Sequence, residues 1–169
     1  MSGFPKLIPA FTVSIAIDPP NQFGVTATGN GLDMVAFIPG VGGIKSEPDY
    51  PIQVDATWLH GSDYIKADPD GKHVRLDVVS TAKDKKTGGL IRYNYTGTID
   101  MTGGAGRVLS GQPGAETTDY GEIFAHVKIE TGSPELIELQ HKTYTAAGRF
   151  VVEEGKPLVV EYKVSEVAI

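Results

Sequence analysis

Four histidines, His60, His73, His126 and His141, carry the side chains that titrate closest to neutral pH, and they are the first candidates for acid–base chemistry. His60 stands apart from the others. Read at period two, it shares a face with Ile52, Val54, Ala56 and Trp58, and it directly precedes Gly61-Ser62-Asp63-Tyr64. It is either a neutral core histidine or a lumen-facing general base beside Asp63, whose carboxylate would raise its pKa and fix its tautomer. His73 follows a turn, His141 ends a short helix and His126 lies on the polar face of a strand. Solvent exposure is the simpler reading of these three, and His126 alone is kept as a binding candidate.

Tyr93 and Tyr95 share an inward face with Ile91, either as core or as phenols lining a pocket, where each could donate to an enolate oxygen. Arg75 and Asp77 stand two apart on one strand face, with Arg92 on the following strand. They form either an external cross-strand ion pair or a polar cluster anchoring a carbonyl, phenolate or carboxylate. The candidate catalytic residues are therefore His60, Asp63 and Tyr95. The candidate binding residues are Trp58, Tyr64, Arg92, Tyr93, Arg75, Asp77 and His126.

The histidines lack the close spacing of a metal motif, and no metal site is expected. Thr102-Gly103-Gly104-Ala105-Gly106 is not followed by the helix that a dinucleotide fingerprint requires, and no phosphate-cradling loop ends in Lys-Ser or Lys-Thr. No cofactor is expected.

The elements that must position these residues are strands. In 169 residues there are 21 Gly and 11 Pro, which helix interiors tolerate poorly, and Val, Thr and Ile make up about a quarter of the chain. Phe11, Val13, Ile15 and Ile17 alternate with smaller or polar residues as a first strand. Phe23, Val25 and Ala27 form a second stripe, and Leu32, Met34, Ala36 and Ile38 a third. The glycines of Pro39-Gly40-Val41-Gly42-Gly43 require a loop or bulge. Further strands follow around Trp58, 73–79, 90–96, 123–130, 143–152 and 157–165. Residues 103–121 read as one long surface loop, a candidate lid. Ser133 as N-cap and Pro134 at the first helical position predict one short helix near 133–141. The expectation is an all-β, single-domain antiparallel barrel over 1–169, favoured over a sandwich because closure removes exposed edges.

A net charge of −6, with only the middle third basic, argues against a nucleic-acid partner. No stretch approaches the apolar length of a membrane helix. The chain has no cysteine, as a reducing compartment permits, and a cytoplasmic address is expected.

Between Trp58 and Asp100 stand Gly61-Ser62-Asp63-Tyr64, Asp70-Gly71, Leu76-Asp77, Gly89-Leu90-Ile91 and Gly97. In these pieces the chain resembles the family of unknown function 3237, also called uncharacterised protein family 0311. Further on, Glu130-Thr131-Gly132-Ser133-Pro134, a short helix and Tyr144-x-x-x-Gly148 extend the likeness to about 11–164. The resemblance implies a small antiparallel barrel similar to calycin or allene oxide cyclase barrels. His60 departs from the family pattern, where Gly is usual, and 103–121 resembles an insertion.

Three functions follow. A cofactor-free isomerase, cyclase or dehydratase would act on a hydrophobic, oxygenated metabolite such as a polyketide or terpenoid intermediate. A lipocalin-like barrel would bind such a molecule without turning it over. A structural, homo-oligomeric barrel would have no cavity above about 300 Å³.

Overall fold

The computed structural model describes residues 3–169. Nine strands run in order: β1 (Lys6–Ile17), β2 (Asn21–Val25), β3 (Gly31–Ser46), β4 (Asp55–Ala67), β5 (His73–Asp84), β6 (Leu90–Asp100), β7 (Ile123–Thr131), β8 (Tyr144–Val151) and β9 (Leu158–Ala168). From β3 to β9 each strand pairs antiparallel with the next in sequence, β9 pairs with β1, and β1 returns to β3. Eight strands thus close a barrel, and β2 lies outside the closure as an extra strand on β3. The expected barrel is the observed fold. Among the described residues, no helix is long and apolar enough to cross a membrane.

Closure at the β1–β3 seam depends on the 39–43 glycines. Against β4, β3 takes seven steps from Ala36 to Gly43 where its partner takes five from Ser62 to Thr57. The predicted bulge is this excess of two residues. Gly42, at φ 75°, lies so near β1 that a Cβ would stand 2.3 Å from the Ser14 carbonyl oxygen. Only glycine fits both the backbone angle and the gap.

The barrel is filled rather than hollow through most of its length. Phe37, Trp58, Tyr93, Tyr95 and Tyr162 make a chain of edge-on aromatic contacts, with centroids 5.2–6.0 Å apart. The indole Nε1 of Trp58 donates to the Ser14 carbonyl at 2.8 Å. At one end Tyr50 donates to Glu166 at 2.7 Å, and Lys142 pairs with Glu166 at 2.8 Å.

Three expectations about burial need correction. Phe23 and Val25 are exposed, because β2 is the strand outside the barrel and packs neither face on the core. Over 32–38 of β3 the buried residues are Val35 and Phe37, and the Leu32, Met34, Ala36, Ile38 stripe is only half-buried. Both sets are apolar, so alternation alone could not choose between them.

The third correction concerns residues 103–121. Gly104–Leu109 form a short helix, α1, with Ala105, Gly106 and Val108 buried against the barrel end. Both oxygens of Glu122 accept from its first amides, Gly104 at 3.0 Å and Ala105 at 2.6 Å. Gly106 allows the close approach, since a Cβ there would stand 1.9 Å from the Met101 carbonyl oxygen. Further along, Thr118 is pinned to Phe150 of β8 through its amide and hydroxyl. The helix predicted near 133–141 is present as a 3-10 turn, Ile137–His141, with Leu139 buried. Ser133 does not cap it; its hydroxyl donates to Glu135 instead.

Candidate functional site

The strand carrying most of the candidates changes face midway. Between β4 and β5, Trp58 pairs with Ala82 but His60 pairs with Thr81, so Leu59 is an extra residue in β4, a β-bulge. Trp58 points inward before the bulge, while Gly61 and Asp63 are buried after it. His60 is therefore exposed, contrary to the period-two reading. The ring of Phe37 occupies the space inside Gly61, 2.2 Å from where a Cβ would be. The bulge and this glycine together deliver Asp63 to the interior.

Asp63 is buried, at 9% exposure. Its Oδ1 accepts the Asp77 amide at 3.0 Å, at the point where regular β4–β5 pairing skips from Asp63–Val78 to Lys66–Arg75. The carboxyl thus substitutes for a missing ladder acceptor. Burial pushes its pKa from 3.8 up to about 7, and the Asp77 amide opposes that rise without cancelling it.

Around Asp63 lies a cavity of about 20 Å³, the space of a single water, lined also by Tyr95, Tyr162, Phe37, Phe150 and aliphatic side chains. Burial raises the pKa of both phenols, so each is a neutral hydroxyl at physiological pH. Above it, a larger hollow of about 560 Å³ opens to solvent. This mouth forms where β1 leaves the barrel through Asp18-Pro19-Pro20, whose prolines cannot continue the ladder. Its walls are mostly apolar, with Asp33 and Lys156 also contributing. The two hollows share Ile17, Val35, Ile65 and Leu109.

The sequence candidates divide between inside and outside. Asp63 and Tyr95 line the inner cavity, and Trp58 and Tyr93 are buried beside it. The Tyr93 hydroxyl has no hydrogen-bond partner among the described residues. The other candidates lie on the outer wall, because they alternate with inward residues on their strands. Tyr64 is 41% exposed, its ring centroid 6.4 Å from that of Phe23. Arg75 pairs with Asp68 at 2.6 Å, not with Asp77, and Arg92 pairs with Glu130 at 2.7 Å. Asp77 and His126 flank a shallow outer groove. Tyr162 was not among the candidates, although Val160, Tyr162 and Val164 alternate on β9 in a way that marks their face as inward.

Asp68, Asp70 and His73 bring ligand atoms within 4.8 Å of one another at the β4–β5 turn. Both Asp68 oxygens accept from the Arg75 guanidinium, so the cluster is already organised by an ion pair.

The family model for proteins of unknown function, DUF3237, matches residues 5–167. The chain belongs to the DUF3237 family. Solved structures with the same barrel include a conserved protein of unknown function from Rhodopseudomonas palustris, 17% identical with a TM-score of 0.72, covering 98% of this chain and 99% of that one. A β-barrel-like protein from Acinetobacter baumannii is also 17% identical, with a TM-score of 0.71 and 96% of each chain covered. A protein of unknown function from Clostridium acetobutylicum is 15% identical, with a TM-score of 0.71, covering 97% and 99%. These likenesses show the fold of this DUF3237 member alone. No curated protein matches the chain.

Proposed function

We propose that the barrel is a cofactor-independent proton-transfer enzyme acting on a hydrophobic, oxygenated small molecule held in the mouth. The observation carrying this reading is the placement of Asp63, a buried carboxyl with a pKa of about 7, beneath an apolar hollow of about 560 Å³. That hollow has the size of small-molecule sites, which disfavours a purely structural barrel. A group titrating near neutral pH can both remove and return a proton, as isomerisation, cyclisation and dehydration require. Asp63 is the acid–base residue in this reading. Tyr95 and Tyr162 are neutral donors that would stabilise an enolate oxygen formed beside it. The apolar walls would hold the substrate body and supply orientation.

The experiment needs no knowledge of the natural substrate. The chain is incubated in D₂O with 2-tetralone, a flat apolar ketone with acidic α-hydrogens, and exchange of C–H for C–D is followed by NMR. The wild type is expected to accelerate exchange above buffer, His60→Ala to match it, and Asp63→Asn to lose about 100-fold or more. Exchange at the buffer rate, or a rate unchanged in Asp63→Asn, overturns the catalytic reading. A lipocalin-like binder uses the same mouth, with Asp63 as a structural acceptor for the Asp77 amide. It predicts binding of the ketone without exchange.

A further inference from the structure

The geometry points to Leu109 as the residue that sets how deep a ligand reaches, so that only a slim oxygen-bearing end of an otherwise bulky apolar molecule meets Asp63. This rests on the mouth and Asp63 forming one ligand site, as proposed above. Four side chains, Ile17, Val35, Ile65 and Leu109, line both the mouth and the inner cavity and so form the neck between them. Three belong to β1, β3 and β4, whose backbones are fixed by barrel pairing. Leu109 is the exception, the last residue of the six-residue helix α1.

The hydrogen bonds that tie α1 to the barrel are at its start. Its other end is held by burial of Val108 and by its own turn, where the Ser110, Gly111 and Gln112 amides donate to the Gly106, Val108 and Arg107 carbonyls. Glu122 holds the Gly104 and Ala105 amides, and Gly106 packs on the Met101 carbonyl. At the other end, Leu109 is followed by Ser110 and by Gly111, which has a φ of 62°. Leu109 is only partly buried. It is the neck residue least restrained by its own element, and its size controls the opening.

The inner cavity has room for about one oxygen atom with its hydrogen bonds, and its polar groups are a carboxyl and two phenols. The substrate class that fits is therefore a carbonyl or enol at the end or edge of an apolar body. The body remains in the mouth, and the oxygen passes the neck.

Two probes separate depth from mouth binding. N-phenyl-1-naphthylamine, neutral and bulky, reports by fluorescence on the mouth. 4-Nitrophenol, small and flat with a polar oxygen, reports by absorbance on the inner site. Leu109→Ala is expected to tighten 4-nitrophenol about tenfold and Leu109→Phe to weaken it by a similar factor, while naphthylamine affinity moves less than about threefold. Leu109→Met, close in volume, should match wild type, which separates neck size from general damage to the fold. Adding Asp63→Asn to Leu109→Ala should remove most of the gain for 4-nitrophenol. If naphthylamine binds but 4-nitrophenol affinity ignores Leu109, the depth assignment is overturned and the mouth stands. A Leu109 effect that survives Asp63→Asn unchanged overturns Asp63 as the contact at the end of the passage. If naphthylamine binds no variant, the mouth is not a ligand site, and both this assignment and the proposed function fall.

Discussion

The amide of Asp77 donates to Oδ1 of Asp63 at 3.0 Å, joining β4 to β5 through a side chain where the two backbones do not pair. That bond gives Asp63 a structural reason to be buried, while burial gives it a chemical capacity that surface aspartates lack. The ionised form still bears the cost of desolvation, because one amide bond does not replace a hydration shell.

A pH dependence of stability follows. The folded pKa of Asp63, about 7, lies above its ordinary 3.8, so the native state binds this proton more tightly than the unfolded chain. Its contribution is fully present below about pH 4, declines as pH rises and levels off above about 7, for a total of about 4 kcal/mol. Asp63→Asn keeps an oxygen for the Asp77 amide but cannot ionise. Urea unfolding should show the variant equal to wild type near pH 4 and more stable by up to about 4 kcal/mol near pH 8. Glu166 and Asp84, whose pKa values are lowered, lose stabilisation as pH falls; being common to both proteins, they cancel in the difference.

The β4 bulge separates two neighbouring substitutions. Gly61→Ala places a methyl group against the Phe37 ring and should destabilise by about 2 kcal/mol or more. His60→Ala, on the exposed side, should change stability by less than about 0.5 kcal/mol. Thermal unfolding of the two variants checks this. A large loss at His60 would mean that the strand has no bulge.

Tyr93→Phe removes a hydroxyl that is buried without a partner among the described residues and leaves the ring contacts with Trp58 and Tyr95 intact. The variant should be more stable by about 1 kcal/mol in denaturant unfolding. A loss of similar size would reveal a partner for the hydroxyl.

The barrel was legible in the sequence because turn residues and alternation recur along the chain. The site was only half legible, for one local reason. Alternation assumes an unbroken strand, and the extra residue Leu59 reverses the phase between Trp58 and Asp63. Unbroken alternation points His60 inward, whereas past the bulge Asp63 is the group that enters the lumen. Tyr93 and Tyr95 are buried with Ile91, as alternation predicts, because β6 runs from Ile91 to Tyr95 without a bulge. Arg75 and Arg92 found partners that pattern alone does not name: Asp68 belongs to a turn and Glu130 to another strand. The mouth was not readable, because it arises where β1, β3, β4 and α1 meet across long sequence separations.

The proposed chemistry needs Asp63 to be a buried carboxyl that gains and loses its proton near neutrality. Carbon-13 NMR of the aspartate carboxyls across pH 3–9, with Asp63→Asn for assignment, measures this directly. The expected result is one aspartate with a midpoint near 7 whose signal is absent from the variant. If every aspartate titrates below about pH 5, Asp63 is fully ionised at neutral pH and is not the group that both takes up and returns a proton there, as the proposed chemistry requires.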